Sequence, residues 1–113
     1  IKAMSSIGIS IILPTLNEEE NLSKIIPEII SKFKNNNLDY EIVVVDDNSS
    51  DNTDFTMNKF ISENPNIKFV KRRNNPSLPL SIYEGIKNSK MEYKRKQNAY
   101  HKSYKNLIWK KIL

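Results

Sequence analysis

The chain has 113 residues, 38% of them hydrophobic and 27% charged, with no cysteine and a single histidine. That length suits one domain with a real core, and the lack of cysteine excludes a disulfide framework or a thiolate metal site while leaving the redox compartment open. The formal net charge of +5 is unevenly placed, because residues 1–89 carry 10 Lys and Arg against 12 Asp and Glu, whereas residues 90–113 carry 8 against 1. A basic block confined to one terminus reads as a solvated or interaction tail rather than a nucleic-acid footprint, so no nucleic-acid partner is expected. No apolar run reaches the roughly 18 residues of a spanning helix, and the first residues lack the charged and apolar regions of a signal peptide. A cytoplasmic protein, peripheral to the membrane at most, is expected. Ile1 stands where an initiating Met would be, which suits a fragment.

Ile7, Ile9 and Ile11 alternate before Ile12 and Leu13 continue the run to Pro14, which predicts a buried strand stopped by proline. Leu22, Ile25, Ile26, Ile29, Ile30 and Phe33 then recur at helical spacing, with Pro27 inside the pattern and Asn17 three residues before Glu20 in the arrangement of a capping box. A second strand follows over residues 41–46, where the unbroken run Ile42, Val43, Val44, Val45 fits a central parallel strand covered on both faces. Residues 51–63 read as a second helix with Phe55, Met57, Phe60 and Ile61 as its apolar residues, started by Asp51 and Asn52 as ordinary caps. Residues 67–70 make a third short strand, and Leu80, Ile82, Tyr83 and Ile86 suggest a third helix ending near Ser89. This β-α-β-α-β-α order argues for an α/β fold with a parallel, doubly wound sheet.

Sheets of that kind bind ligands beyond the carboxyl ends of their strands. Asp46 and Asp47 fall at such an end, where an Asp pair can equally well cap a loop and face solvent. The first strand supplies a second stretch at the same edge, "SIILPTLNEEENL", to set beside "YEIVVVDDNSSDNT". Together the two stretches resemble the start of the family 2 glycosyltransferases, nearest to the dolichyl-phosphate mannose synthase branch and its bacterial polyprenyl-phosphate relatives. The resemblance covers residues 7–89 and implies the nucleotide-sugar-binding half of a Rossmann-like transferase domain, followed by a tail, residues 90–113, unlike the family. In relatives the Pro, the aromatic two residues later and the Glu of the first loop line the nucleoside pocket, with the last apolar residue of the second strand and the second Asp after it. Carried over, these are Pro14, Leu16, Glu18, Val45 and Asp47. Leu16 replaces the family's usual Tyr, so stacking on the base is lost there.

The residue types suit that role, because an ionised carboxylate only accepts hydrogen bonds and so selects N–H and O–H donors. Asp47 suits the base, Glu18 the sugar hydroxyls, and Asp46 the backbone N–H groups of its own loop. A third stretch, "RRNNPSLPLSIYEGI", matches through Arg72 or Arg73 and Gly85, with Ser77 and Pro79 where many relatives carry glycine. The two arginines either approach donor phosphates or are a solvated pair. A phosphoryl-accepting receiver domain would need its acidic pair after the first strand and an acceptor Asp near residue 90, which reads "NSKMEY" instead.

Complete relatives hold Mg²⁺ or Mn²⁺ on an Asp-x-Asp motif at the end of the next strand. No Asp-x-Asp occurs anywhere in this sequence. The chain is therefore expected to bind no metal, to contain no catalytic residue, and to be a truncated donor-binding fragment for a GDP-mannose or UDP-glucose type of nucleotide sugar. The alternative is a non-enzymatic remnant or membrane-peripheral adaptor that uses its basic tail. In that tail Tyr104, Leu107, Ile108 and Ile112 show helical spacing beside Trp109, which predicts a helix docked on the sheet or lying at a membrane surface. His101, without partner ligands, is expected to be a solvated side chain.

Overall fold

A parallel strand buried on both faces needs apolar side chains on both, and two stretches of this chain provide them. In the computed structural model, which describes residues 8–37, 39–89 and 104–108, these become the adjacent strands β1 (Gly8–Thr15) and β2 (Asp39–Asp46). Helix α1 (Glu19–Asn35) joins them, and helix α2 (Thr53–Glu63), strand β3 (Ile67–Lys71), helix α3 (Leu78–Asn88) and strand β4 (Tyr104–Ile108) follow. All pairings are parallel and the strand order is β3-β2-β1-β4. The expected α/β doubly wound architecture is therefore present. Among the described residues no helix is long and apolar enough to cross a membrane.

The register shows how the apolar side chains divide between the two faces, while Ser10 and Glu41, also opposite each other, are buried as a hydrogen-bonded pair. Ile11 lies opposite Ile42 and Leu13 opposite Val44. With Leu22, Ile25, Ile26 and Ile29 of α1 and Met57 of α2 they form the larger core cluster. Ile12, Val43 and Val45 point the other way, against Val70 and Ile86. Each such side chain contributes roughly 1.5–3 kcal/mol by leaving water.

Helix α1 runs through Pro27, which is exposed, so water can take up the carbonyl that the proline leaves without a donor. The capping box expected from Asn17 and Glu20 is not formed. Glu18 occupies the N-cap without a side-chain cap bond, and α2 likewise starts two residues later than expected, at Thr53. Phe55 is 75% exposed, on the outer side of α2.

Of the apolar residues that suggested helix α3, Ile86 packs on the core and Ile82 is half-buried, but the fully buried positions are small ones. Leu80 and Tyr83 are exposed while Ser81 and Gly85, one turn apart, are buried against the sheet. A β-carbon added at Gly85 would overlap Ile12 Cγ2 and stand 3.1 Å from Val45 Cγ2. Gly85→Ala is therefore expected to destabilise the fold by about 1–2 kcal/mol, the overpacking cost exceeding the gain of about 1 kcal/mol in helix propensity. Urea unfolding would measure it, and an unchanged or raised midpoint would refute the close contact.

The tail corrects the expectation of a helix. Residues 104–108 form β4, paired in parallel with β1 from Gly8↔Tyr104 to Ile12↔Ile108. Without that strand, the backbone N–H and C=O groups along this side of β1 would form an open edge, and pairing with it overrides the local helical pattern. His101, Trp109 and Ile112 lie outside the described residues.

Candidate nucleoside site at the carboxyl edge

The loops leaving β1, β2 and β3 emerge on one side of the sheet, and two asparagines let them turn sharply. Asn17 (φ 55°) and Asn48 (φ 73°) both take the left-handed conformation that asparagine tolerates better than most residues. Asn17 then clamps the first two loops together. Its Oδ1 accepts from the backbone N–H of Ser50 at 2.8 Å and of Asp51 at 3.3 Å, and its own N–H donates to Ser49 Oγ at 2.8 Å. Asp51 returns the tie by accepting from Glu19 N–H at 3.3 Å and from Thr53 N–H at 3.1 Å. Burial pushes the Asp51 carboxyl up, but the hydrogen bonds from the Thr53 hydroxyl and from backbone N–H groups outweigh it and hold the carboxyl below its ordinary value.

The adjacent carboxylates serve opposite sides of the strand end, as successive strand side chains must. Asp46 is fully buried and accepts from Ser49 N–H at 2.8 Å, from the Ser49 hydroxyl, and from the Thr15 hydroxyl at 3.4 Å. It organises the loop. Asp47 instead faces the third loop, where its Oδ1 accepts from Arg72 Nη1 at 2.6 Å and its Oδ2 from Ser77 N–H at 2.7 Å. Arg72 also donates to the carbonyls of Asn74 and Asn75 at 3.2 and 3.0 Å, so the Asp47–Arg72 pair fixes the whole β3–α3 loop. Arg73 is exposed. Ser77 has φ −166°, extended backbone open to any residue, and its hydroxyl caps α3 by accepting from Leu80 N–H.

Between these loops lies a cavity of about 370 Å³ lined by Pro14, Thr15, Leu16, Glu18, Asp47, Pro76, Ser77, Leu78 and Ser81. Of the five residues the sequence assigns to a nucleoside site, Pro14, Leu16, Glu18 and Asp47 meet on this lining. Val45 does not, because its side chain is fully buried beneath, with Ile12 and Val43. Thr15, Pro76, Ser77, Leu78 and Ser81 were not anticipated. The volume lies within the roughly 300–1,000 Å³ of small-molecule sites.

The chemistry of the lining is that of a hydrogen-bond acceptor pair on an apolar rim. A carboxylate offers about four lone-pair sites, and Asp47 commits two of them to Arg72 and Ser77, so it retains capacity for an N–H from a ligand. Glu18 accepts from Asn21 Nδ2 at 2.6 Å through one oxygen and is half-buried at the cavity mouth. Leu16, 48% exposed, and Leu78, 47% exposed, give apolar surface beside them. Among the described residues no group of three or more His, Cys, Asp or Glu is placed to hold a metal ion.

Residues 10–94 match the family "Glycosyl transferase family 2". The chain belongs to glycosyl transferase family 2. Within that family it is 37% identical over 79 residues to a dolichol-phosphate mannosyltransferase of Pyrococcus furiosus, covering 70% of this chain and 22% of that protein. It is 30% identical over 98 residues to a dolichyl-phosphate beta-glucosyltransferase of Dictyostelium discoideum, covering 80% of this chain and 30% of the relative. The fold is shared with a mannosyltransferase from Pyrobaculum calidifontis solved in complex with GDP-Man and Mn²⁺, at a TM-score of 0.64 and 18% identity over 74% of this chain and 25% of that one. This family 2 chain thus spans between about a fifth and a third of the length of these relatives.

Proposed function

We propose that the cavity receives the nucleoside of a nucleotide-sugar donor of the GDP-mannose or UDP-glucose type, and that these residues form the donor-binding half of a transferase that passes a hexose to a polyprenyl or dolichyl phosphate. The observation that carries this reading is that Pro14 at the end of β1, Leu16 and Glu18 just after it, and Asp47 just after β2 line one cavity at the carboxyl edge of the two strands. Asp47 accepts from the base N–H, held in place by Arg72 and Ser77, while Glu18 at the mouth accepts from ribose hydroxyls. The leucine and proline rim excludes water from these contacts, which strengthens them. The acceptor class follows from the relatives named above and accords with a position at the cytoplasmic membrane face.

The described residues do not fit the divalent ion that such transferases use. Asp47 has an arginine beside it rather than a second carboxylate, and the sequence has no Asp-x-Asp. These 113 residues by themselves therefore bind the donor nucleotide without transferring its sugar. Titration calorimetry with GDP and UDP tests the binding, and absence of heat with both would end this reading. Incubation with radiolabelled GDP-mannose or UDP-glucose, Mg²⁺ or Mn²⁺ and a polyprenyl phosphate tests the second part, since metal-dependent labelled lipid would show that the chain is active alone.

Leu16 stands where an aromatic ring would stack on the base. Base–aromatic stacking is worth about 1–3 kcal/mol, and an exposed rim position realises the lower end. Leu16→Tyr is expected to tighten nucleotide binding about fivefold, on the scale of tenfold per roughly 1.4 kcal/mol. Equal calorimetric affinities would place the base elsewhere.

A further inference from the structure

A helical serine ordinarily satisfies its hydroxyl by donating to a carbonyl of the preceding turn. Ser23 in α1 does so to Glu19 O at 3.1 Å, and Ser62 in α2 does so to Lys59 O at 2.8 Å. Ser81 in α3 does not. The Ser77 carbonyl one turn earlier takes the Ser81 N–H at 3.0 Å, and the Ser81 Oγ is buried without a hydrogen-bond partner among the described residues. The residue is 1% exposed, yet it lines the cavity at the carboxyl edge.

Its place along α3 sets it beside Asp47. Ser77, one turn before, gives its N–H to Asp47 Oδ2 at 2.7 Å, and Gly85, one turn after, packs on Ile12 and Val45. Ser81 therefore faces the sheet between these two contacts. A hydroxyl that can donate thus stands near a carboxylate that can only accept, with neither bonded to the other. Such an arrangement complements a ligand edge that presents an N–H next to a carbonyl oxygen.

We infer that the Ser81 hydroxyl is a specificity-determining ligand contact, donating to the base carbonyl that adjoins the N–H read by Asp47. The inference rests on the nucleotide reading above and goes further, because it assigns to Ser81, a residue outside that reading, the contact that tells one base edge from another. Guanine and uracil both carry a ring N–H beside a carbonyl. Adenine and cytosine carry at the corresponding place a ring nitrogen whose lone pair would meet the acceptor-only Asp47 carboxylate, beside an amine that donates toward Ser81 instead of accepting from it. A site built to bond one polar edge rejects the edge that leaves its groups unpaired.

The experiment is calorimetric titration of the full chain and of its Ser81→Ala variant with GDP, UDP, ADP and CDP, together with the melting temperatures of both unliganded proteins. The expected result is that the wild type binds GDP or UDP in preference to ADP and CDP, and that the variant loses about tenfold in that affinity. Its melting temperature should be unchanged or raised, because removing a hydroxyl without a partner removes no bond. Equal affinity in the variant overturns the role of Ser81 and leaves the nucleotide reading standing. A lowered melting temperature of the unliganded variant shows a structural partner and overturns it as well, as does a wild-type preference for ADP or CDP. A wild type that binds none of the four fails the nucleotide reading and this inference together.

Discussion

Replacing Asp47 with alanine is expected to lower the melting temperature by on the order of 10 °C and to weaken nucleotide binding beyond detection. The two effects have one source. The Asp47 and Arg72 side chains are each only 11% exposed, so truncating the carboxylate strands a nearly buried guanidinium and the Ser77 N–H together. Removing one partner of a fully buried pair costs about 3–5 kcal/mol. Arg72 keeps the carbonyls of Asn74 and Asn75, which brings the expectation here down to about 2 kcal/mol. For a domain of this size each kcal/mol moves the midpoint by roughly 4–8 °C. Binding falls separately through the loss of a charge-assisted contact worth about 1.5–3 kcal/mol, measured well below the variant's own melting temperature. Asp47→Asn should fall between, since an amide oxygen still accepts from Ser77 N–H but no longer balances the Arg72 charge. An alanine variant that melts and binds like the wild type would remove Asp47 from both roles.

The parts of the fold that were legible in the sequence are those set by burial on both faces of a strand. Residues 11–13 and 42–45 are apolar without a break, and so they read as central strands before any partner is known. The four cavity residues Pro14, Leu16, Glu18 and Asp47 come instead from the resemblance to family 2 glycosyltransferases, and they share one cavity because β1 and β2 end at the same edge of a parallel sheet. Val45 was assigned to the same site, yet strand alternation turns its side chain under α3, where Gly85 packs on it. What could not be read depends on partners distant in the chain. Asn17 and Glu20 carry a local capping signal, but the Asn17 amide oxygen is taken by Ser50, 33 residues away. The tail's helical spacing gave no sign of the open β1 edge that pairs with it. Leu80, Ile82, Tyr83 and Ile86 mark α3 as a helix, yet only Ile86 of them packs on the core, because the close approach to Ile12 leaves no room for a β-carbon at Gly85.

Substituting alanine for Asp46 should cost about as much stability as Asp47→Ala, but by a different route and with a different remedy. Asp46 has no exposed surface and no salt-bridge partner among the described residues; its carboxylate accepts only from neutral groups of its own loop and of Thr15. Truncation leaves the Ser49 N–H and two hydroxyls to find new partners, and each buried group left unmade costs about 1–3 kcal/mol. The hydroxyls can rotate toward other acceptors, so the N–H dominates and a loss of about 2–3 kcal/mol follows. Asp46→Asn should recover most of it, because its amide oxygen can take the Ser49 N–H while its amide nitrogen donates to the Ser49 hydroxyl, which accepts as readily as it donates. The same exchange at Asp47 recovers less, since a guanidinium has no such freedom. Denaturant midpoints of the four variants therefore form a test of the division of labour between the two neighbours. If asparagine rescues position 47 as well as it rescues position 46, the charge on Asp47 does nothing that a neutral acceptor would not. The pairing with Arg72 would then be no more than a neutral tether on the loop.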